Sequence, residues 1–237
     1  MKKLLIDSRV RKVEYEYLSK YFDVIKIPLS NDVYEEISGH SDIFYCKLQN
    51  KIICAPNAQI REKEFIVGKN LVGRTYPYDV SYNACQIGDF IIGSKYTDSM
   101  ISTNITVKQG YTKCSICVTS KNSCITSDRG IDKILKGNGI NSDFIEENNI
   151  KLLKKDGKYS NMKGFIGGAS FVFDNKFVLF GDIENLESKE KIYVGKEMYH
   201  KLCAQLIIAK SICKYGRIDA SYFQEITEHM ESSKQNC

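Results

Sequence analysis

The sequence predicts an α/β fold assembled from repeated β-hairpin units and followed by a mainly helical C-terminal segment. Three observations lead there. A β-rich run, a tight polar turn and a second β-rich run recur four times. A strand–helix–strand pattern opens the chain. Residues 196–237 then switch to a helical pattern that includes MYHKLCAQLIIAKSICKYG.

Taken in order, KLLIDS reads as a strand, RKVEYEYLSKYF (11–22) as an amphipathic helix, and DVIKIP as a strand stopped at Pro28. The hairpins are IFYCKLQNKIICAP, VSYNACQIGDFIIGS, SICVTSKNSCITSD and ASFVFDNKFVLFGD. Their turns centre near Asn50, Gly88, Asn122 and Asn175, with spacings of 38, 34 and 53 residues. Asn, Asp, Gly and Lys are the residues that short hairpin loops favour. Between hairpins, TDSMISTNITV (97–107) reads as a helical turn followed by a strand. RGIDKILKGNG (129–139) reads as a short helix capped by Asp128 or Ser127 and closed by glycine. The unit is therefore strand, strand, helix, strand. With the N-terminal strand–helix–strand as a split fifth copy, five units could close into a ring that leaves few open sheet edges. The division is a repeat domain over 1–195 and a helical segment over 196–237, whose polar end, ESSKQNC, is expected to be disordered.

Composition narrows the function classes. A formal charge of +5 over 237 residues, with scattered lysines and no basic block, argues against nucleic acid as a partner. The first residues, MKKLLIDSRV, hold too short an apolar run for a secretion signal, and no run reaches the length of a membrane span. Nine cysteines, an odd number, without a secretion signal point to reduced thiols in a cytoplasm.

The segments that precede the hairpins hold the chemistry. They are GHSD (39–42), YPYD (76–79), GYTKC (110–114) and GFIGGAS (164–170). In a ring of repeats, equivalent loops face one axis, so His40, Asp42, Asp79, Asn83, Cys114, Gly167 and Gly168 would meet, joined by Asp7 and Arg9 after the first strand. His40 and Asp42, read at the mouth of a strand, would point to one face. A thiol, an imidazole and a carboxylate are the types needed for covalent catalysis: an imidazolium lowers a thiol's pKa and then shuttles protons, and a carboxylate holds the histidine or a cationic substrate. The same residues also read blandly, His40 and Asp42 as a hydrogen-bonded loop pair and Cys114 as a buried strand cysteine. Gly167-Gly168 fits a tight turn as well as a close backbone approach to a ligand. Tyr76 and Tyr78 either line a pocket or pack the strand junction.

Cys114-Ser-Ile-Cys117 spells CxxC, the pattern of a redox pair or half a zinc site. On a strand the two thiols would face opposite sides, and there is no second CxxC. Cys46, Cys54, Cys85 and Cys124 alternate with apolar residues and read as core, as do Cys203 and Cys213 on a helix. His200 and His229 fall in the helical segment as surface or interhelix residues.

GHSDIFYCKLQNKIICAP resembles the His-x-Asp motif of the guanidine-modifying enzymes, the penteins, whose fold is an α/β propeller of five ββαβ modules. VKQGYTKCSI, ITSDRGI, YPYDVSYNA and GFIGGAS together resemble an uncharacterised clostridial-type family assigned to that fold, over about residues 1–185. The resemblance implies that His40 is the general acid/base, Asp42 the guanidinium-binding acid and Cys114 the nucleophile, with Asp7 as a further acid gripping the substrate. It implies a cysteine-dependent hydrolase or transferase acting on a guanidinium or amidine group of a small cationic molecule, with no metal and no organic cofactor. The alternative is a non-catalytic member binding a small cation or a protein in the axial cleft. The chain departs from the enzymes at Lys113, where they carry histidine, and in its helical tail, which offers a surface for a homodimer.

Overall fold

The computed structural model describes residues 2–49, 51–173, 176–180 and 187. The expected helical segment over 196–237 and the turn centres Asn50 and Asn175 lie outside them. The chain is mixed α/β, built of small sheets and few helices. Strand β1 (Lys2–Asp7), helix α1 (Lys12–Leu18) and strand β2 (Phe22–Ile27) form a unit in which the two strands pair in parallel. The helix is shorter than the sequence pattern suggested because Phe22 already belongs to the sheet.

Three sheets of identical connectivity follow. One begins with the single helical turn α2 (Ser41–Phe44) and holds β3 (Tyr45–Leu48), β4 (Lys51–Cys54) and β5 (Phe65–Val67). The next holds β6 (Cys85–Ile87), β7 (Phe90–Ser94) and β8 (Ile105–Val107). The last begins with the helical turn α3 (Thr112–Ser115) and holds β9 (Ile116–Ser120), β10 (Ser123–Thr126), α4 (Arg129–Gly137) and β11 (Asn141–Phe144). In each, the first two strands form an antiparallel hairpin and the third returns parallel to the second. Gly88, at φ +55°, makes the tight turn between β6 and β7, a conformation that disfavours other side chains.

The return crossing is a helix only at α4. There Asp128 caps the first turn by accepting from the Ile131 amide at 2.8 Å, and Ile131 and Leu135 bury one face. The helical turn expected within TDSMISTNITV is instead a loop, because Asp98 draws the Lys69, Asn70 and Met100 amides onto its carboxylate. A hairpin the sequence reading missed, β12 (Lys151–Leu153) with β13 (Tyr159–Lys163), turns at Gly157, at φ +79°. The helical turn α5 (Ile166–Ala169) then leads into the hairpin of β14 (Ser170–Phe173) and β15 (Lys176–Leu179).

The first strands of successive hairpins touch in order: β3 meets β6, β6 meets β9, and β9 meets β14. The ends of the described chain also meet. Phe173 and Phe171 of β14 pack on Phe22 of β2 at 4.3 and 6.2 Å between ring centroids, and α2 contacts β1. Ile6, Leu18 and Phe22 form the apolar cluster at that junction. Two larger clusters fill the other sheets, one around Ile43, Ile53 and Tyr82, the other around Ile87, Ile116 and Leu135.

Candidate active site

Asp42, Asn83, Cys114 and Gly167 stand at equivalent places, just ahead of β3, β6, β9 and β14. The repeat therefore sets side chains about 30–70 residues apart around one point. Asp42 and Cys114 are not on strands: each lies in a single helical turn, with His40 as the residue before α2. The face-alternation argument thus does not apply to His40 and Asp42. It does not apply to the CxxC pair either, since Cys114 is helical and Cys117 lies in β9.

Asn83 ties the point together. Its Oδ1 accepts from the Cys114 amide at 3.0 Å, and its Nδ2 lies 2.9 Å from the Asp42 carbonyl and 3.2 Å from Cys114 Sγ. It is fully buried, behind the cysteine rather than in the cleft. Cys114 Sγ donates to Asp42 Oδ2 at 3.0 Å. Burial, then the Asp42 charge and hydrogen bond, push the Cys114 thiol well above its ordinary value, outweighing the Asn83 amide and Lys113. In this state the residue is a thiol. The His40 imidazole makes no hydrogen bond among the described residues. Burial pulls its pKa down despite Asp42 and Asp7, so it is neutral near pH 7 rather than the expected imidazolium.

Asp7 and Arg9 are engaged with each other. Asp7 Oδ1 accepts from the Arg9 amide at 2.8 Å and from Nε at 2.9 Å, and Oδ2 accepts from Nη2 at 2.6 Å. Burial would raise the Asp7 pKa, but the Arg9 hydrogen bonds and charge outweigh it and hold the carboxyl below its usual range. The guanidinium also donates to the carbonyls of Glu35, Glu36 and Leu153. Arg9 thus clamps the loop before α2 and strand β12 to the end of β1. The Asp7 carboxylate in turn lies so close to Gly39 that a Cβ there would fall 2.6 Å from it.

Asp7, Arg9, His40, Asp42, Cys114, Gly167 and Gly168 line one open cleft of about 1970 Å³. Gly167 also serves packing: a Cβ would run into the Lys113 carbonyl of α3 and the Ile116 carbonyl of β9, so only glycine lets α5 seat against them. Gly168 faces open space. Lys113 donates to the Gly167 carbonyl at 2.9 Å and fixes that seat. Tyr76 packs over Tyr96 and Tyr111, and Tyr78 is exposed; neither lines the cleft.

Sequence reasoning missed two tyrosines. Tyr34 and Tyr111 line the cleft with their hydroxyls 2.7 Å apart, and Tyr111 donates to Asp79 at 2.6 Å. Tyr111 sits three residues before the cysteine in GYTKC, but nothing in the pattern marked Tyr34. Asp79 is fully buried behind them.

The six described cysteines are free thiols, and no cluster among the described residues could hold a metal ion. His200, His229, Cys203 and Cys213 lie outside the described residues. Among those residues no helix is long and apolar enough to cross a membrane. The chain belongs to the family of unknown function DUF6873, whose model matches residues 5–232. No curated protein and no solved structure matches it.

Proposed function

We propose that this DUF6873 protein is a cysteine-dependent hydrolase or transferase that acts on the guanidinium or amidine group of a small molecule, on a five-unit pentein-type ring. The observation that carries the reading is the thiol of Cys114 held against Asp42 by Asn83 at the cleft wall. The ring is supported by the order of contacts from β3 through β6 and β9 to β14, and by the meeting of β14 with β2.

The charge state at rest suggests how the cysteine is activated. Burial, and then Asp42, keep the proton on sulfur. A cation that pairs with Asp42 neutralises the main charge opposing the thiolate, so the substrate itself lowers the thiol's pKa. Cys114 then passes its proton to neutral His40, and the thiolate bonds to the guanidinium carbon. As the C–N bond breaks, the imidazolium gives that proton to the departing amine, leaving a thiouronium. His40 next takes a proton from water, the resulting hydroxide bonds to the same carbon, and the C–S bond breaks as the new hydroxyl loses its proton to solvent, where the released amine takes it up, leaving the carbonyl product. The proton on His40 returns to sulfur. If an amine attacks in place of water, the reaction is group transfer.

A screen of guanidines and amidines for released ammonia or amine tests this. Cys114→Ala and His40→Ala are expected to lose at least ~10²-fold in turnover with the folded state intact by circular dichroism. Full activity in either variant would sink the mechanism. A second reading, a non-catalytic cation-binding protein, is favoured by the strongly raised thiol pKa. It would be established by saturable binding of methylguanidine with no turnover of any compound in the screen.

A further inference from the structure

A line of three polar groups runs from the interior to the cleft: Asp79, Tyr111 and Tyr34. Its proton order follows from chemistry. An ionised carboxylate can only accept, so the Tyr111 proton is committed to Asp79. The Tyr111 oxygen is then left as an acceptor, and the Tyr34 proton is committed to it. The Tyr34 oxygen consequently offers lone pairs, not a proton, to whatever else it meets. The other groups hold this arrangement in place. The Tyr111 ring packs against Tyr76 and Phe165, each at 6.2 Å between centroids. Burial raises the Tyr34 phenol's pKa, and the Asp79 charge adds to that, so it remains a neutral hydroxyl at the cleft wall.

We propose that Tyr34 is a specificity-determining acceptor that works with Asp42 from the wall of the same cleft, receiving a second N–H of the substrate's amidinium or guanidinium, and that Tyr111 and Asp79 are positioning residues that fix its polarity. The inference rests on the reading of the cleft given above. Two acceptors in one cleft suit a planar group with several N–H donors. They oppose a neutral urea or amide that turns its carbonyl oxygen toward them. Hydrolysis replaces a donor by such a carbonyl, so the same pair that selects the substrate weakens the hold on the product.

The test compares two alkylating agents of one skeleton, 2-chloroacetamidine, a cation, and 2-chloroacetamide, which is neutral. The rate at Cys114 is followed by mass spectrometry, and each rate is divided by that with free cysteine. The wild type is expected to prefer the amidine. Tyr34→Phe is expected to cut that preference roughly tenfold, the scale of one lost hydrogen bond to a charged group, through a slower chloroacetamidine reaction and no slowing of the chloroacetamide reaction. Tyr111→Phe releases the Tyr34 proton to turn elsewhere and is expected to cut the preference less, about threefold.

A Tyr34→Phe protein that keeps the wild-type preference, or loses reactivity to both agents equally, overturns the role of Tyr34 and leaves the hydrolase reading in place. If Tyr34→Phe does not fold, an unchanged preference in Tyr111→Phe overturns it. A wild type that shows no preference overturns both readings together, because then no group in the cleft reads charge.

Discussion

Two fully buried carboxylates, Asp98 and Asp79, lie in neighbouring parts of the fold and are treated in opposite ways. Asp98 accepts from the amides of Lys69, Asn70 and Met100 at 2.6–2.8 Å. The Tyr82 hydroxyl shares its proton between the Asn70 carbonyl at 2.7 Å and Asp98 at 3.1 Å. Asp79 accepts from Tyr111, while its Oδ1 has no hydrogen-bond partner. Burial raises both carboxyls, but the amide donors outweigh it at Asp98 and hold that pKa below 3.8, whereas at Asp79 burial wins and the pKa is raised. A well-satisfied acid holds a loop in place, as Asp98 does for the crossing into β8. A poorly satisfied acid costs stability, because the desolvation of its charge is not repaid by hydrogen bonds. The under-satisfied one is joined to the cleft.

Three measurements would break or sharpen that contrast. The largest effect is expected for Asp98→Ala. It strands three backbone N–H groups and should cost roughly 3–5 kcal/mol by urea unfolding. A loss under about 1 kcal/mol would mean that water replaces the carboxylate and the loop is not held by it.

The pH dependence should have opposite signs at the two sites. Asp98 has a lowered folded pKa, so its contribution is present above about pH 3.8 and is lost as pH falls through the folded value. The stability gap between wild type and Asp98→Ala should therefore narrow in acid. Asp79 has a raised folded pKa, so the folded state takes up the proton more readily. The wild type should gain on Asp79→Asn as pH falls from above the folded value to about 3.8. Parallel curves for the two pairs would remove the distinction.

The smallest effect belongs to Asp79→Asn at neutral pH. Asparagine keeps an acceptor for Tyr111 and removes a poorly solvated charge, so stability should stay within about 1 kcal/mol of wild type. A loss as large as that of Asp98→Ala would make Asp79 another structural acid and remove the rationale for an oriented hydroxyl chain.

Much of the architecture could be read from the chain. Period-two apolar runs around polar turns marked the four hairpins. Asp128 and the glycine after Asn138 marked both ends of α4, because hairpin turns and helix caps are decided by a few adjacent residues. Equivalent places ahead of the hairpins also put Asp42, Asn83 and Cys114 on the list of residues that would meet, and the structure brings those three within hydrogen-bond reach.

Only the tertiary structure decided what each residue does there. Asn83 supports the cysteine from behind, and Arg9 occupies Asp7 and three carbonyls. Gly167 is required by the seating of α5 on α3. Burial and then Asp42 keep the thiol protonated, burial keeps the imidazole neutral against the pull of Asp42 and Asp7, and Tyr34 enters through a hydroxyl 77 positions away. The physical reason is range. Turns, caps and periodicity are local and leave their mark on neighbouring letters. Hydrogen-bond partners, burial and proton affinity depend on groups that only the packing of distant units brings together.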